Sequence, residues 1–260
     1  MKAFRTLLAE QTVPGILWIT LNRPERLNAI DEEMITELHQ AVSEIEKGCP
    51  ETYRAVILSG AGRSFCSGAD LAAFQAKTQE DKKALKTYIS KFHWFAQRWY
   101  ELPLPTIACM HGHAAGGGAA LSLLCDIRLA APDTSIRFSF SQMGLIPDLG
   151  SHYLLPQLLG RAKALELLYL GTPVAADEAL DMGLVNHVLP EEQLEQRAME
   201  MAQQVASGPF DVFRISKQLM QQGMNSSLGD VLEQEVMHQT NRFTSEEFQT
   251  ASRQFFRRKK

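Results

Sequence analysis

Three consecutive glycines, Gly116-Gly-Gly118, stand between an apolar strand candidate and an apolar helix candidate in the run His111-Gly-His-Ala-Ala-Gly-Gly-Gly-Ala-Ala-Leu-Ser-Leu-Leu-Cys-Asp126. A helix that opens on glycine presents amide donors with no intrahelical partner, and the positive end of its dipole, to an anion or a polarised carbonyl. A second segment of this kind, Gly60-Ala-Gly-Arg-Ser-Phe-Cys-Ser-Gly-Ala-Asp-Leu71, follows an apolar strand at 55–58. Two such junctions can supply one donor each to a single oxygen. A glycine cluster by itself equally marks close helix packing, so the inference rests on the pair.

The other reactive residue types are sparse around these runs. His111 and His113 border the triple glycine, where an imidazole is either a hydrogen-bonded structural group or a proton carrier. Cys66 has no base within its motif and reads as a packed thiol. The four cysteines, Cys49, Cys66, Cys109 and Cys125, show neither paired spacing nor a histidine spacing suited to zinc, so no metal site and no disulfide framework is expected. Gly60-Ala-Gly62 lacks the third glycine of a dinucleotide fingerprint, and no lysine follows a glycine run as in a P-loop.

The chain that must position these groups has 260 residues, of which 45% are hydrophobic, enough for one substantial core. A net charge of −4 without a strongly basic half argues against nucleic-acid binding. The basic run 257–260 reads as a solvated tail. No apolar block has the length of a signal peptide or a membrane span, so a cytoplasmic protein is expected. Strands are expected at 15–21, 55–58, 106–110 and 127–130, with helices at 31–47, capped by Asp31, and at 79–99. Strand–helix–strand alternation argues for an α/β fold of parallel crossover units, whose ligands gather at the carboxyl ends of the strands. Beyond Pro190 the pattern is helical throughout, at 191–206, 211–222, 228–243 and 245–256. A helical C-terminal subdomain is therefore expected at 196–260, behind a core at 1–195.

Several segments together carry a resemblance. They are Leu21-Asn-Arg-Pro-Glu-Arg-Leu-Asn-Ala29, Phe65-Cys-Ser-Gly-Ala-Asp-Leu71, the triple-glycine run, Cys125-Asp126, Gly144-Leu-Ile-Pro-Asp148 and Ala176-Asp-Glu-Ala-Leu-Asp-Met-Gly-Leu-Val185. In this order they resemble the crotonase (enoyl-CoA hydratase/isomerase) superfamily over nearly the whole chain. The resemblance implies a crotonase-like fold of repeated ββα and βαβ units, with a C-terminal subdomain that builds a homotrimer or a dimer of trimers. It implies an acyl-CoA substrate, with no cofactor beyond the coenzyme A that carries the acyl group. The thioester oxygen would be held by the N–H groups of Ala69 and Gly117. Arg26, Leu27, Ala29, Ser67, Asp70 and Leu71 would line the coenzyme A site, and Arg258 would reach its phosphates.

The acid–base residues depart from the hydratase pattern. Where hydratases of the family carry two glutamates, this chain has Ala120 and Phe140, and neither transfers a proton. Asp148 matches instead the acidic residue of isomerase-type members, the enoyl-CoA delta isomerases and the ring isomerase of phenylacetate degradation. One carboxylate suffices for a 1,3-proton shift, with Phe138 and Phe140 keeping the site dry. His152 and Tyr153 are candidates for the acyl pocket, whose other walls are expected from scattered residues of the 74–99 segment. Asp148 is alternatively a turn residue or an N-cap. The alternatives to an isomerase are a hydratase or dehydratase with a relocated acid–base group, and a non-catalytic member binding acyl-CoA or RNA. The acidic helix at 31–47 speaks against RNA.

Overall fold

The computed structural model describes residues 4–77 and 79–257. An antiparallel hairpin of β1 (Leu7–Val13) and β2 (Gly15–Leu21) opens the chain. α1 (Glu32–Gly48) leads to β3 (Tyr53–Gly60), parallel to β2. α2 (Leu71–Lys77) and α3 (Lys82–Tyr100) then lead to β4 (Thr106–Met110), parallel to β3. A short strand β5 (His113–Ala115) turns directly into α4 (Gly117–Leu123), and β6 (Ile127–Ala130) returns beside β4. β7 (Ser135–Arg137), α5 (Ser151–Leu170), β8 (Val174–Ala175), α6 (Ala176–Asp181) and β9 (His187–Val188) complete the strand-bearing part. The large sheet has the order β1-β2-β3-β4-β6-β9, and β5, β7 and β8 form a small second sheet.

β3 and β4 are buried on both faces, as parallel strands flanked by helices must be. Ala55 and Ile57 of β3, with Ile107 and Cys109 of β4, pack against Leu194, Ala198 and Ala202 of α7 (Glu191–Ala206). By strand alternation Val56 and Leu58 point the other way, and they are equally buried. Asp31 caps α1 by accepting from the Met34 amide at 2.8 Å. Met34, Leu38, Ala41, Val42 and Ile45 form the buried stripe expected of that helix.

The chain divides into two compact units, Met1–Ala206 and Ser207–Lys260. The break expected at 195/196 falls inside α7, whose small residues Ala198, Ala202 and Ala206 bring it close against the sheet and make it part of the core. The second unit holds α8 (Phe210–Gly223), α9 (Leu228–Phe243) and α10 (Glu246–Arg257). α9 buries no residue, and Leu228 and Val236 are 75% and 67% exposed.

Asn28 ties the first loop to the sheet. It is fully buried with φ of 55°, and its Nδ2 donates to the carbonyls of Ala61 and Ser64 at 2.9 and 2.7 Å. Its Oδ1 accepts from the Arg23 amide at 2.9 Å. Asn28→Ala strands these buried groups and puts alanine in a left-handed conformation that asparagine tolerates better. We expect a loss of about 2–4 kcal/mol, read as a lower urea midpoint with an unchanged slope; a midpoint equal to wild type contradicts the bracing role.

Candidate active site

The loop after β3 runs alongside the β5 segment. Phe65 N donates to His111 O at 2.8 Å, Cys66 N to His113 O at 3.0 Å, and Ala115 N returns to Cys66 O at 2.9 Å. Across the loop Ile30 N donates to Gly68 O and Asp70 N to Ile30 O, at 2.7 and 3.0 Å. These bonds use the groups on either side of Ala69 and leave its N–H pointing away from Ile30. Among the described residues neither the Ala69 nor the Gly117 amide donates to another protein group. The two are close neighbours: a Cβ built on Gly117 lies 3.7 Å from Ala69 N, and one built on Gly68 lies 3.1 Å from Gly117 N. Two open donors therefore flank one small space, the arrangement that meets a developing oxyanion.

The three glycines answer to three different demands. Gly116 is the N-cap of α4 with φ of 50° and ψ of −119°, a conformation closed to other residues. Gly117 has room at its Cα, the nearest atom being Leu149 Cδ1 at 3.5 Å from an added Cβ, so its bareness serves the space beside the amides. Gly118 is a packing glycine, since a Cβ there falls 2.1 Å from Cys66 O.

Both open amides border a cavity of about 710 Å³ in the first unit, and Asp148 lines the same cavity. The Asp148 carbonyl, not its carboxylate, accepts from Ser151 N and Oγ at 3.0 and 2.7 Å. Gly150 takes the N-cap position of α5 with φ of 81°, so the carboxylate is not spent on capping. Burial pushes its pKa above the ordinary aspartate value, offset in part by the charges of His93 and His152 and by its own backbone N–H. Of the two positions that hold glutamates in hydratases, Ala120 is fully buried in the core and Phe140 lines the cavity. Phe138, expected at the site, is 1% exposed and off the cavity wall.

The expected coenzyme A residues separate. Ser67 and Leu71 border the cavity, while Arg26, Leu27, Ala29 and Asp70 do not. Arg26 is exposed and contributes its carbonyl, which accepts from Ala29 N at 3.0 Å. Leu27 turns the chain at φ of 50° and accepts from Ser67 N at 2.9 Å. Asp70 is occupied: Oδ1 accepts from the amides of Ala72 and Ala73 at the start of α2. Its Oδ2 pairs with Arg23 at 3.1 Å, and Arg23 also holds Asp31. Arg258 lies outside the described residues.

The ambiguous residues also sort themselves. Cys66 Sγ donates to Asn28 O at 3.2 Å, and burial pushes the thiol up to about 12, which makes it a packed group. His111 Nε2 lies 2.7 Å from Gly62 O, a structural bond. Asp126 holds the start of β4, accepting from Thr106 N and Oγ1 at 2.8 and 3.0 Å. His152 borders the main cavity; Tyr153 faces a neighbouring one of about 250 Å³, edge-on to Tyr100 at 6.5 Å. His93, Phe74, Ile89 and Phe92 also line the cavity, within the 74–99 segment from which acyl-pocket walls were expected, though the sequence singled out none of them. Their only signal is a histidine interrupting the apolar stripe of a long helix.

Matching of the Enoyl-CoA hydratase/isomerase family to residues 11–260 decides the ancestry of this site. The chain belongs to the enoyl-CoA hydratase/isomerase family. It is 35% identical over 226 residues to the 1,2-epoxyphenylacetyl-CoA isomerase of Escherichia coli K12, covering 86% of each chain. To the short-chain-enoyl-CoA hydratase of Clostridium acetobutylicum it is 30% identical, over 93% of this chain and 91% of the other. The crystal structure of an enoyl-CoA hydratase from Bacillus anthracis superposes with a TM-score of 0.90 at 30% identity, over 98% of this chain and 97% of that one. These likenesses confirm the crotonase-type fold and the assignment to enoyl-CoA hydratase/isomerase enzymes. Among the described residues no helix is long and apolar enough to cross a membrane.

Proposed function

We propose that the protein is an enoyl-CoA isomerase that moves a double bond by a 1,3-proton shift, with Asp148 as base. The observation that carries this reading is the makeup of the cavity wall: Asp148 is its one carboxylate among the described residues, beside two unpartnered amides. Thioester oxygen held by Ala69 N–H and Gly117 N–H acidifies the α carbon. Asp148 removes a proton there, the amides hold the dienolate, and protonation at the γ carbon completes the shift. The apolar wall, including Phe74, Phe92 and Phe140, accommodates the acyl group and limits water. The names of the relatives include both isomerases and hydratases, so the product must decide. A panel of acyl-CoAs incubated in deuterated water is expected to yield double-bond isomers with deuterium at carbon. Oxygen from water appearing at the β carbon would replace this reading with that of a hydratase.

The same reading includes a threefold assembly through the second unit, supported by the exposed apolar residues of α9. Light scattering is expected to report a trimer or a hexamer at micromolar concentration, and a monomer would refute the assembly.

A further inference from the structure

The cavity wall carries four titratable side chains: His93 from α3, Arg137 from the end of β7, Asp148, and His152 from the first turn of α5. Arg137 is fastened to Gly171 O and Gln142 Oε1, each at 2.7 Å, and a guanidinium does not release its proton. The two imidazoles remain as groups that can exchange a proton with Asp148. They are not equivalent. His93 lies on the boundary of two cavities, bordering both the one that holds Asp148 and the smaller one lined by Tyr100 and Tyr153. His93 is exposed, as His152 is, so its ring serves the site and solvent together, and the second cavity is what sets it apart. Burial pushes the Tyr100 phenol up to about 12, which leaves it protonated and outside proton exchange at neutral pH. When protonated, His93 favours the Asp148 carboxylate more strongly than protonated His152 does.

We propose that His93 is a proton relay between Asp148 and water, so that the proton taken from the substrate is largely not the proton returned to it. This rests on the reading of Asp148 as the base of a 1,3-shift. The Asp148 carboxylate takes the α proton, and the electron pair of the broken C–H bond enters the dienolate. The neutral His93 imidazole accepts that proton from the Asp148 carboxylic acid and becomes imidazolium. Imidazolium exchanges its proton with water and passes one back to Asp148, which delivers it to the γ carbon. Both residues end in their starting states and nothing is oxidised or reduced.

The test uses the whole enzyme and β,γ-hexenoyl-CoA deuterated at the α carbon, in ordinary water, with the label located by mass spectrometry and NMR. Wild type is expected to lose most of the deuterium to water and carry little to the γ carbon. His93→Gln keeps the size and polarity of the ring but cannot ferry a proton, and is expected to raise deuterium at the γ carbon several-fold, while slowing α-deuterium loss from recovered substrate. Equal label transfer in wild type and H93Q overturns the relay and leaves the isomerase reading intact. The same holds if His152→Gln, and not H93Q, raises the transfer. A wild type that exchanges the α deuterium without moving the double bond overturns the isomerase reading alone, provided H93Q slows that exchange; if it does not, the relay fails too. A wild type that shows neither exchange nor movement of the double bond overturns both; movement without exchange overturns the relay alone.

Discussion

Asp148→Asn is expected to lower turnover by roughly 10²–10⁴ while leaving coenzyme A binding nearly unchanged, because the amide keeps the shape of the carboxylate and loses its capacity to accept a proton. Steady-state kinetics beside a binding measurement with free coenzyme A check this; near-normal isomerisation by the variant would sink the assignment. The same substitution has an opposite effect on the fold. Burial raises the Asp148 pKa in the folded protein above that of the unfolded chain, about 3.9. A group shifted in this direction contributes stability below its unfolded pKa and loses that contribution as pH rises through the folded pKa. At neutral pH the ionised, buried carboxylate therefore costs stability. Asp148→Asn should unfold at a higher temperature than wild type at pH 7, with the advantage shrinking below about pH 4. In the wild type, activity should fall on the acidic side at a pH above the ordinary aspartate range, since the base works only when ionised.

Gly117→Ala should leave the protein folded and lower turnover by roughly 10²–10³, the loss typical of removing one oxyanion donor. An added methyl meets ordinary contacts at 3.5 Å from Leu149 Cδ1 and 3.7 Å from Ala69 N, so the backbone need not move. That methyl occupies the space in which a thioester oxygen would approach both amides. Gly118→Ala makes the contrasting control: its Cβ would stand 2.1 Å from the Cys66 carbonyl, a clash that forces the loop and α4 apart. Circular dichroism and thermal melting should show a native G117A and a destabilised G118A. A G117A enzyme with wild-type turnover would show that the middle glycine serves packing alone.

Local pattern was sufficient for much of this chain. The cap of α1, the apolar periods of α1, α7 and α9, and the apolar runs of β2 and β4 are short-range properties written in consecutive residues, and the elements lie where that pattern puts them. The two open amides and Asp148 were singled out for another reason: backbone donors require glycine-rich turns, and their order along the chain matches a known family. The unit boundary was not legible, because an alanine-rich helix such as α7 declares its partner only by packing on a sheet formed from distant strands. Nor could composition separate the roles of Asp70 and Asp148. One carboxylate is neutralised by Arg23, far off in sequence, and by the first amides of α2; the other is not spent on the helix, because a carbonyl takes over the capping of α5. His93 was not singled out within its segment for the same cause. Its neighbourhood to Asp148 depends on where α3 crosses the cavity, a long-range contact that no local spacing encodes and only the closed fold creates.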